Sequence, residues 1–342
     1  MTAKGPAEGG DGRALRGSRL LRSFGDLLAK LLVSGGLLYW LLSQSDLEAF
    51  ADVFRRTDVV LFVGAAGFFV FSNALGAGQW YLLLRGQALD VSVRQAAVLY
   101  WVGVFFNNVL LGNIGGDAIR IYDLRRLTGS TSRGAAATFV DRFLGLFSTC
   151  CLALGACVLV AGVRRPGLVS LLATVWLGLV GLLAMGLSRR IGIRVQSLVD
   201  RLLPQRIASV IDGLRTSIVD YRDQLGLLLV AWIVSLGVQT SRILVYWAAG
   251  LSVGLEVGMR YYVGFQPAAA IVAALPISIG GLGVREGVLV ELFGGVGVEE
   301  NLAFAMSLLG YAAGICASLL GGIAFVVRRI QPSPPPPAEA PE

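Results

Sequence analysis

Six runs of about 20 apolar residues, the length that carries a helix across a bilayer, dominate this chain; they cover residues 24–42, 59–84, 135–163, 168–187, 225–251 and 302–327. Hydrocarbon offers no water to pair backbone N–H and C=O groups, so only helices and closed barrels cross it. These runs are continuous rather than alternating, which selects helices. Composition agrees: 55% of residues are hydrophobic and 15% charged, against about 25% charged in soluble domains. The expected class is therefore all-α, a polytopic integral membrane bundle. The formal charge of +7 sits in loops, where it orients the chain and favours an anionic lipid surface; it is not a nucleic-acid signal.

The chain has no histidine. That removes zinc–histidine sites, histidine-activated nucleophiles and histidine acid–base chemistry. Cys150, Cys151, Cys157 and Cys316 all lie in apolar segments without metal spacing and read as small packing residues. No cofactor or metal is expected.

Positive-inside bias orders the segments. Residues 1–22 form a basic, disordered amino terminus, and residues 23–330 one transmembrane domain. The run at 24–42 lacks a following small-x-small cleavage site, so it reads as a first helix rather than a signal peptide. Arg189, Arg190, Arg194, Arg201, Arg206, Arg215 and Arg222 make residues 189–224 the most basic loop. Its apolar residues recur at helical spacing. That fits amphipathic helices at the cytoplasmic interface and equally a cytoplasmic hairpin packed on the protein. Residues 331–342 are a Pro-rich tail. Both termini fall in the cytoplasm of a cell (inner) membrane. Arg164 and Arg165, in an outside loop, run against the rule.

Two shorter segments are broken and similar to each other. Tyr100-Trp-Val-Gly103 leads through an apolar run to Ile114-Gly115-Gly116-Asp-Ala-Ile-Arg120. Tyr261-Tyr-Val-Gly264 leads to Ile279-Gly280-Gly281-Leu-Gly-Val-Arg285. Gly-Gly alone says nothing here, since doublets also start at Gly35, Gly294 and Gly321 among 45 glycines. The aromatic-Val-Gly start and the matched arginine carry the likeness. Arginines flank residues 96–114 on both sides, so the first element reads as a re-entrant hairpin from the cytoplasm. The second reads as one entering from outside. Opposed broken elements are the mark of an inverted repeat with a transport site at its interface. Asn113, Gly115 and Gly116 suit the first turn; Pro276, Gly280, Gly281 and Gly283 prevent a continuous helix through the second.

Intramembrane charges are the candidate functional groups, because each costs about 2.5–3.5 kcal/mol at the bilayer centre. Asp117 and Arg120 share a helix face and can pair. Arg120 can also pair with Asp141, leaving Arg142 free for substrate. Arg242 is the most isolated charge in the chain. Arg285 offers a forked phosphate donor, with Glu286 as its counter-charge or as a proton carrier. Arg120, Arg142, Arg242 and Arg285 are thus candidate headgroup ligands, and Asp117, Asp141 and Glu286 candidate charge-balancing or proton-coupling groups. A capped helix start and a structural broken helix are the plainer readings of the same residues.

The run from Gly115 to Arg120, Val140-Asp-Arg142 with Leu144-Gly-Leu146, and the run from Pro276 through Gly280-Gly-Leu-Gly-Val-Arg-Glu286 resemble, in order, the signatures of the lysylphosphatidylglycerol synthase transmembrane region, a flippase-like family. The resemblance covers most of residues 24–328. It implies an integral membrane domain that handles phospholipids or lipid-linked sugars. The soluble aminoacyl-transferase domain of the full synthase is not in this sequence, which argues against lipid aminoacylation.

A lipid flippase heads the functional readings, with a phospholipid or lipid-linked substrate. A carrier of a small anionic or polar solute, a scaffold for a separate synthase, and a homo-oligomer remain open. A membrane-embedded transferase is disfavoured, since neither an Asp-x-Asp pair nor a metal spacing is present. No Walker A signature appears, so ATP hydrolysis is not expected. The hairpin reading has a direct test. In a cysteine-free background, Gly112→Cys should react with an impermeant thiol reagent only from the cytoplasmic side; labelling from outside would mean that the segment crosses.

Overall fold

Asp58 starts the first helix of the computed structural model: its carboxylate accepts from the N–H groups of Val60 at 2.8 Å and Leu61 at 3.2 Å, satisfying donors that a helix start leaves unpaired. The structure describes residues 53, 55–109, 115–187, 216–275, 278 and 281–330. The expected helix at 24–42, the termini at 1–22 and 331–342, most of the basic loop at 189–224, and Gly112, Asn113, Pro276 and Gly280 lie outside the described residues.

The helices are α1 (Val59–Gly86), α2 (Val93–Val109), α3 (Gly115–Thr128), α4 (Thr131–Leu159), α5 (Pro166–Leu187), α6 (Leu225–Ser252), α7 (Met259–Ala273), α8 (Val284–Gly294) and α9 (Glu300–Ile330). No strand occurs among the described residues. Five helices, α1, α4, α5, α6 and α9, are long and apolar enough to cross a membrane. The helices α3, α7 and α8 have 14, 15 and 11 residues and are shorter than a bilayer requires, and α2, with 17, is at the lower limit.

These short helices come in antiparallel pairs. In the first, α2 and α3 touch where Gly103 and Asn107 meet Gly116. A Cβ at Gly116 would collide with the Gly103 carbonyl, so the backbones close only because that position is glycine. In the second, Tyr262 and Phe265 of α7 meet Phe293 of α8 in a tilted and an edge-to-face contact, centroids 4.9 and 5.2 Å apart. Gly281 and Gly283 take φ values of 79° and 81° where the chain turns into α8, a region L side chains avoid.

Between the pairs run α1 and α6, antiparallel along their length. The Asp58 N–H donates to the Ser252 carbonyl at one end (2.8 Å), Ser72 Oγ to the Val238 carbonyl midway (3.2 Å), and Gln224 Nε2 to the Gly86 carbonyl at the other (2.8 Å). The neighbour pattern has a symmetry. α2 packs on α9 as α7 packs on α4, and exchanging α1–α4 for α6–α9 leaves the pattern of packed pairs unchanged. The two copies of the aromatic-Val-Gly motif are used differently, however. Gly103 faces Gly116 inside its own hairpin, whereas Gly264 faces Val163, beyond α4.

The outer surface is apolar. Leu225, Leu229 and Ile233 on α6, and Leu319, Ile323 and Val327 on α9, are all exposed at spacings that form one helix face. Arg165, which the topology rule left unexplained, has a structural partner. Its guanidinium donates to the Leu292 carbonyl at 3.4 Å and lies 3.8 Å from Glu291, at the negative end of α8. The described end of the basic loop docks on α1: Tyr221 is buried, and its hydroxyl donates to the Leu83 carbonyl at 2.7 Å. Burial pushes that phenol above its ordinary range, so it stays a donor.

The Gly116 contact makes a prediction. Gly116→Ala should cost about 1–3 kcal/mol by overpacking, read as a lower melting temperature in detergent. Gly64→Ala, where an added Cβ meets nothing within 4 Å, should leave it unchanged.

Candidate functional site

Both hairpins, the central pair α1/α6, α4 and α9 line an open cavity of about 570 Å³, and Arg120, Arg142, Arg242 and Arg285 all face it. They arrive from α3, α4, α6 and α8, so no stretch of sequence contains the site. Asp117 and Asp141 line it as well; Glu286 does not.

The first hairpin contributes an ion-pair network. Gly116 and Asp117 open α3, and the Asn107 Oδ1 accepts from the Gly116 N–H at 2.9 Å, joining the arms of the hairpin. Arg142 Nε and Nη2 donate to the two oxygens of Asp117, both at 2.8 Å. Arg120 Nε stands 3.4 Å from the same carboxylate. Its Nη2 donates to Asp141 at 3.1 Å, and Gln79 Nε2 donates to the other Asp141 oxygen at 3.1 Å. The Arg120 guanidinium also lies over two rings, 4.9 Å from the centroid of Trp80 and 5.3 Å from that of Tyr100, a cation–π arrangement. Trp80 is in turn held by its Nε1 donating to Thr138 Oγ at 3.2 Å.

The pairing of Arg120 with Asp141 suggested by the sequence is present. The free Arg142 is not: Asp117 holds it in a bidentate fork. Adjacent residues on a helix diverge, and Asp141 and Arg142 accordingly take different partners on α3, Arg120 and Asp117.

The second hairpin solves the same problem locally. Glu286 is fully buried. It accepts the Gly283 N–H at 2.6 Å, closing the first turn of α8, and Arg285 Nε and Nη2 at 3.2 and 3.1 Å. Ser307 of α9 donates to it at 3.5 Å. Arg285 lies 4.5 Å from the Tyr311 ring centroid. Of the two roles open to Glu286, the geometry displays charge balance, since its carboxylate is spent on a helix cap and an arginine.

Arg242 stands apart. Among the described residues it makes no ion pair or hydrogen bond, and its Nε is buried without a partner. Gln239, one turn earlier on the same cavity-facing side, donates to the Gly145 carbonyl at 3.2 Å. Three carboxylates thus accompany four cavity arginines, and Arg242 is the cation without a counter-charge. The described residues contain no cluster that could hold a metal ion.

The sequence reading missed Asn73, Gln79, Tyr100, Ser235 and Tyr311, which also line the cavity. The signal was available for the amides: Asn73 and Gln79 interrupt the apolar run of α1, and polar groups at membrane depth are functional candidates by default.

A family model described as the lysylphosphatidylglycerol synthase TM region matches residues 27–322. A UPF0104 membrane protein of Methanothermobacter thermautotrophicus is 25% identical over 276 residues, 72% of this chain and 78% of the relative. Another, from Pyrococcus horikoshii, is 22% identical over 316 residues, 86% of this chain and 93% of the relative. No solved structure matches.

The enclosed Glu286 gives the second structural prediction. Glu286→Ala strands Arg285 and the Gly283 N–H, and should cost about 3–5 kcal/mol as a broken buried pair. Glu286→Gln keeps an acceptor for the helix cap and should cost less. Unfolding midpoints in micelles would rank the two.

Proposed function

This chain belongs to the lysylphosphatidylglycerol synthase TM-region family, and from that membership and the charged cavity between its hairpins we propose that it moves a phospholipid or lipid-linked headgroup between leaflets. The observation that carries the reading is the convergence of four arginines, from four helices, on one cavity in a membrane-embedded bundle. Guanidinium is the side chain suited to a phosphate, because its planar fork matches the oxygens.

The hairpins are re-entrant and enter from opposite faces. The antiparallel course of α1 and α6 and the exchangeable neighbour pattern of the two helix sets support this, as does the brevity of α2, α3, α7 and α8. A headgroup near the midplane would then meet non-spanning backbone on both sides, the arrangement that alternating access uses. Asp117, Asp141 and Glu286 balance charge so that the arginines can be buried. The chain acts as a carrier rather than an enzyme. It resides in the cell membrane with both termini cytoplasmic, in keeping with the basic loops.

The test is headgroup translocation in proteoliposomes with labelled anionic, zwitterionic and cationic lipids. Arg242→Ala is the informative variant, because among the described residues this side chain makes no ion pair or hydrogen bond. Its loss should cut translocation roughly tenfold or more, the worth of one charged hydrogen bond, with the melting temperature unchanged or raised, since an unpaired buried charge is removed. Folded wild-type protein that moves no lipid faster than protein-free vesicles would overturn the proposal.

A further inference from the structure

Resting on the re-entrant hairpins of the preceding section, we propose that the turn between α4 and α5 is a strap across the second hairpin, and that its release lets this hairpin move and opens the cavity on the side of the turn. The turn is short. Val160 caps α4, Ala161–Val163 form a single 3₁₀ turn closed by the Val163 N–H on the Val160 carbonyl at 3.0 Å, and Pro166 opens α5. Three of its residues nevertheless touch both arms of the hairpin. Gly162 lies against the Tyr261 ring of α7, where an added Cβ would stand 2.9 Å from it. Val163 is fully buried and fills the space over Gly264 of the same helix. Arg165 reaches α8. Its Nη2 donates to the Leu292 carbonyl at 3.4 Å, its Nη1 lies 3.8 Å from Glu291, and its guanidinium covers Gly295.

The two hairpins are fastened with unequal strength. The first is joined to α4 by the Arg142–Asp117 fork at 2.8 Å and by the Arg120–Asp141 pair. Parting these would strand charge at membrane depth. The second carries the counter-ion of Arg285 on its own helix, so it can shift without separating that pair. Its α7 meets α4 through small apolar residues, Gly264 against Ala156, and such contacts are non-directional. Among the described residues, Arg165–Glu291 is the ion pair that joins this hairpin to another element. Arg165 is 33% exposed and Glu291 83%, so water competes for both partners and the pair is weak. The attraction of Arg165 to the carbonyl end of α8 is screened in the same way. A fastening that solvent can loosen identifies the second hairpin as the one that yields.

The strap acts on the cavity through the hairpin it holds. Gln266, Ala270, Ile271 and Ala274 of α7 and Arg285 of α8 form one wall of that space. Movement of α7 and α8 away from the strap therefore widens the cavity at this wall, while the ion-paired wall of α3 and α4 stays in place. Gly295 offers a way to open the strap without removing a charge. Its φ of −68° is an ordinary helical value, so glycine is not required by the backbone. An added Cβ would instead collide with the Arg165 guanidinium and push it off the end of α8.

Pulsed electron paramagnetic resonance on cysteine-free protein in proteoliposomes tests the strap. Nitroxides at Val60→Cys on α1 and Gly294→Cys at the end of α8 report where the hairpin stands; Val60 is exposed, and a Cβ at Gly294 meets nothing within 4 Å. With the strap intact the shorter distance should dominate. Arg165→Ala and Gly295→Ala should each raise the longer-distance population roughly two- to fivefold, the range an exposed ion pair sustains. The two variants share only the lost clamp, since Gly295→Ala keeps the arginine. In the same backgrounds Ala270→Cys should react faster with an impermeant thiol reagent added on the side of the turn. Arg164→Ala, at the exposed neighbouring position, should change neither readout. Unchanged distances in both strap variants, or an equal change with Arg164→Ala, would overturn the strap and leave the lipid reading standing. Neither readout needs a transported lipid, so protein that shows the strap response yet moves no lipid would uphold the strap and overturn the lipid reading alone.

Discussion

The carboxylate of Asp117, held between two guanidiniums at the head of α3, governs how the polar interior is assembled. It takes a bidentate fork from Arg142 on α4, a longer contact from Arg120 on its own helix, and a 3.4 Å contact from Asn107 on α2. One anion thereby ties both arms of the first hairpin to a membrane-crossing helix. Buried ion pairs seldom add net stability, because desolvation consumes the Coulombic gain. They do specify geometry, since a displaced arm would leave a bare charge at membrane depth. Arg120, passed on to Asp141 and clamped over Trp80 and Tyr100, extends that specification to α1.

The second hairpin is neutralised differently, and the contrast bears on mechanism. Arg285 finds its counter-ion next door in Glu286, on the same helix, so its charge balance is independent of α4 and α6. Its links to the bundle include the Ser307 contact, the Tyr311 ring, a hydrogen bond between Arg285 and Tyr246 of α6, and the apolar packing around Phe293. The first hairpin is bound across helices by charge, the second by packing and its own cap. Between them Arg242 contributes the charge that neither hairpin satisfies. That surplus charge is what the proposed anion-binding role of the cavity rests on.

Much of this was legible in the residues. Long apolar runs locate α1, α4, α5, α6 and α9 to within about one turn at each end, because a helix that crosses lipid must be both long and largely uncharged. The glycine breaks locate the hairpins for the opposite reason: α7 ends at Ala273 and α8 begins at Val284, with Gly281 and Gly283 at positive φ between them. Charges at membrane depth are rare enough that every arginine of the cavity stood out beforehand. Their partners did not. Arg142 was expected to be free, yet the antiparallel closure of α2 on α3 through Gly116 brings Asp117 within its reach. Asn73 and Ser235 carry a weaker signal, because an amide or hydroxyl in a helix often bonds its own backbone, as Ser241 does to the Gly237 carbonyl at 2.8 Å.

The sequence by itself determined the class of molecule, its spans, the two broken elements and the identity of the buried charges. Those properties follow from transfer free energies and backbone conformation, which are local to a segment. Only the tertiary structure decided which carboxylate meets which arginine, that four arginines share one cavity, and that Arg242 is left over. Pairing depends on distances between helices remote in sequence, such as the approach of α3 to α4 and of α1 to α6. No spacing along the chain encodes those distances.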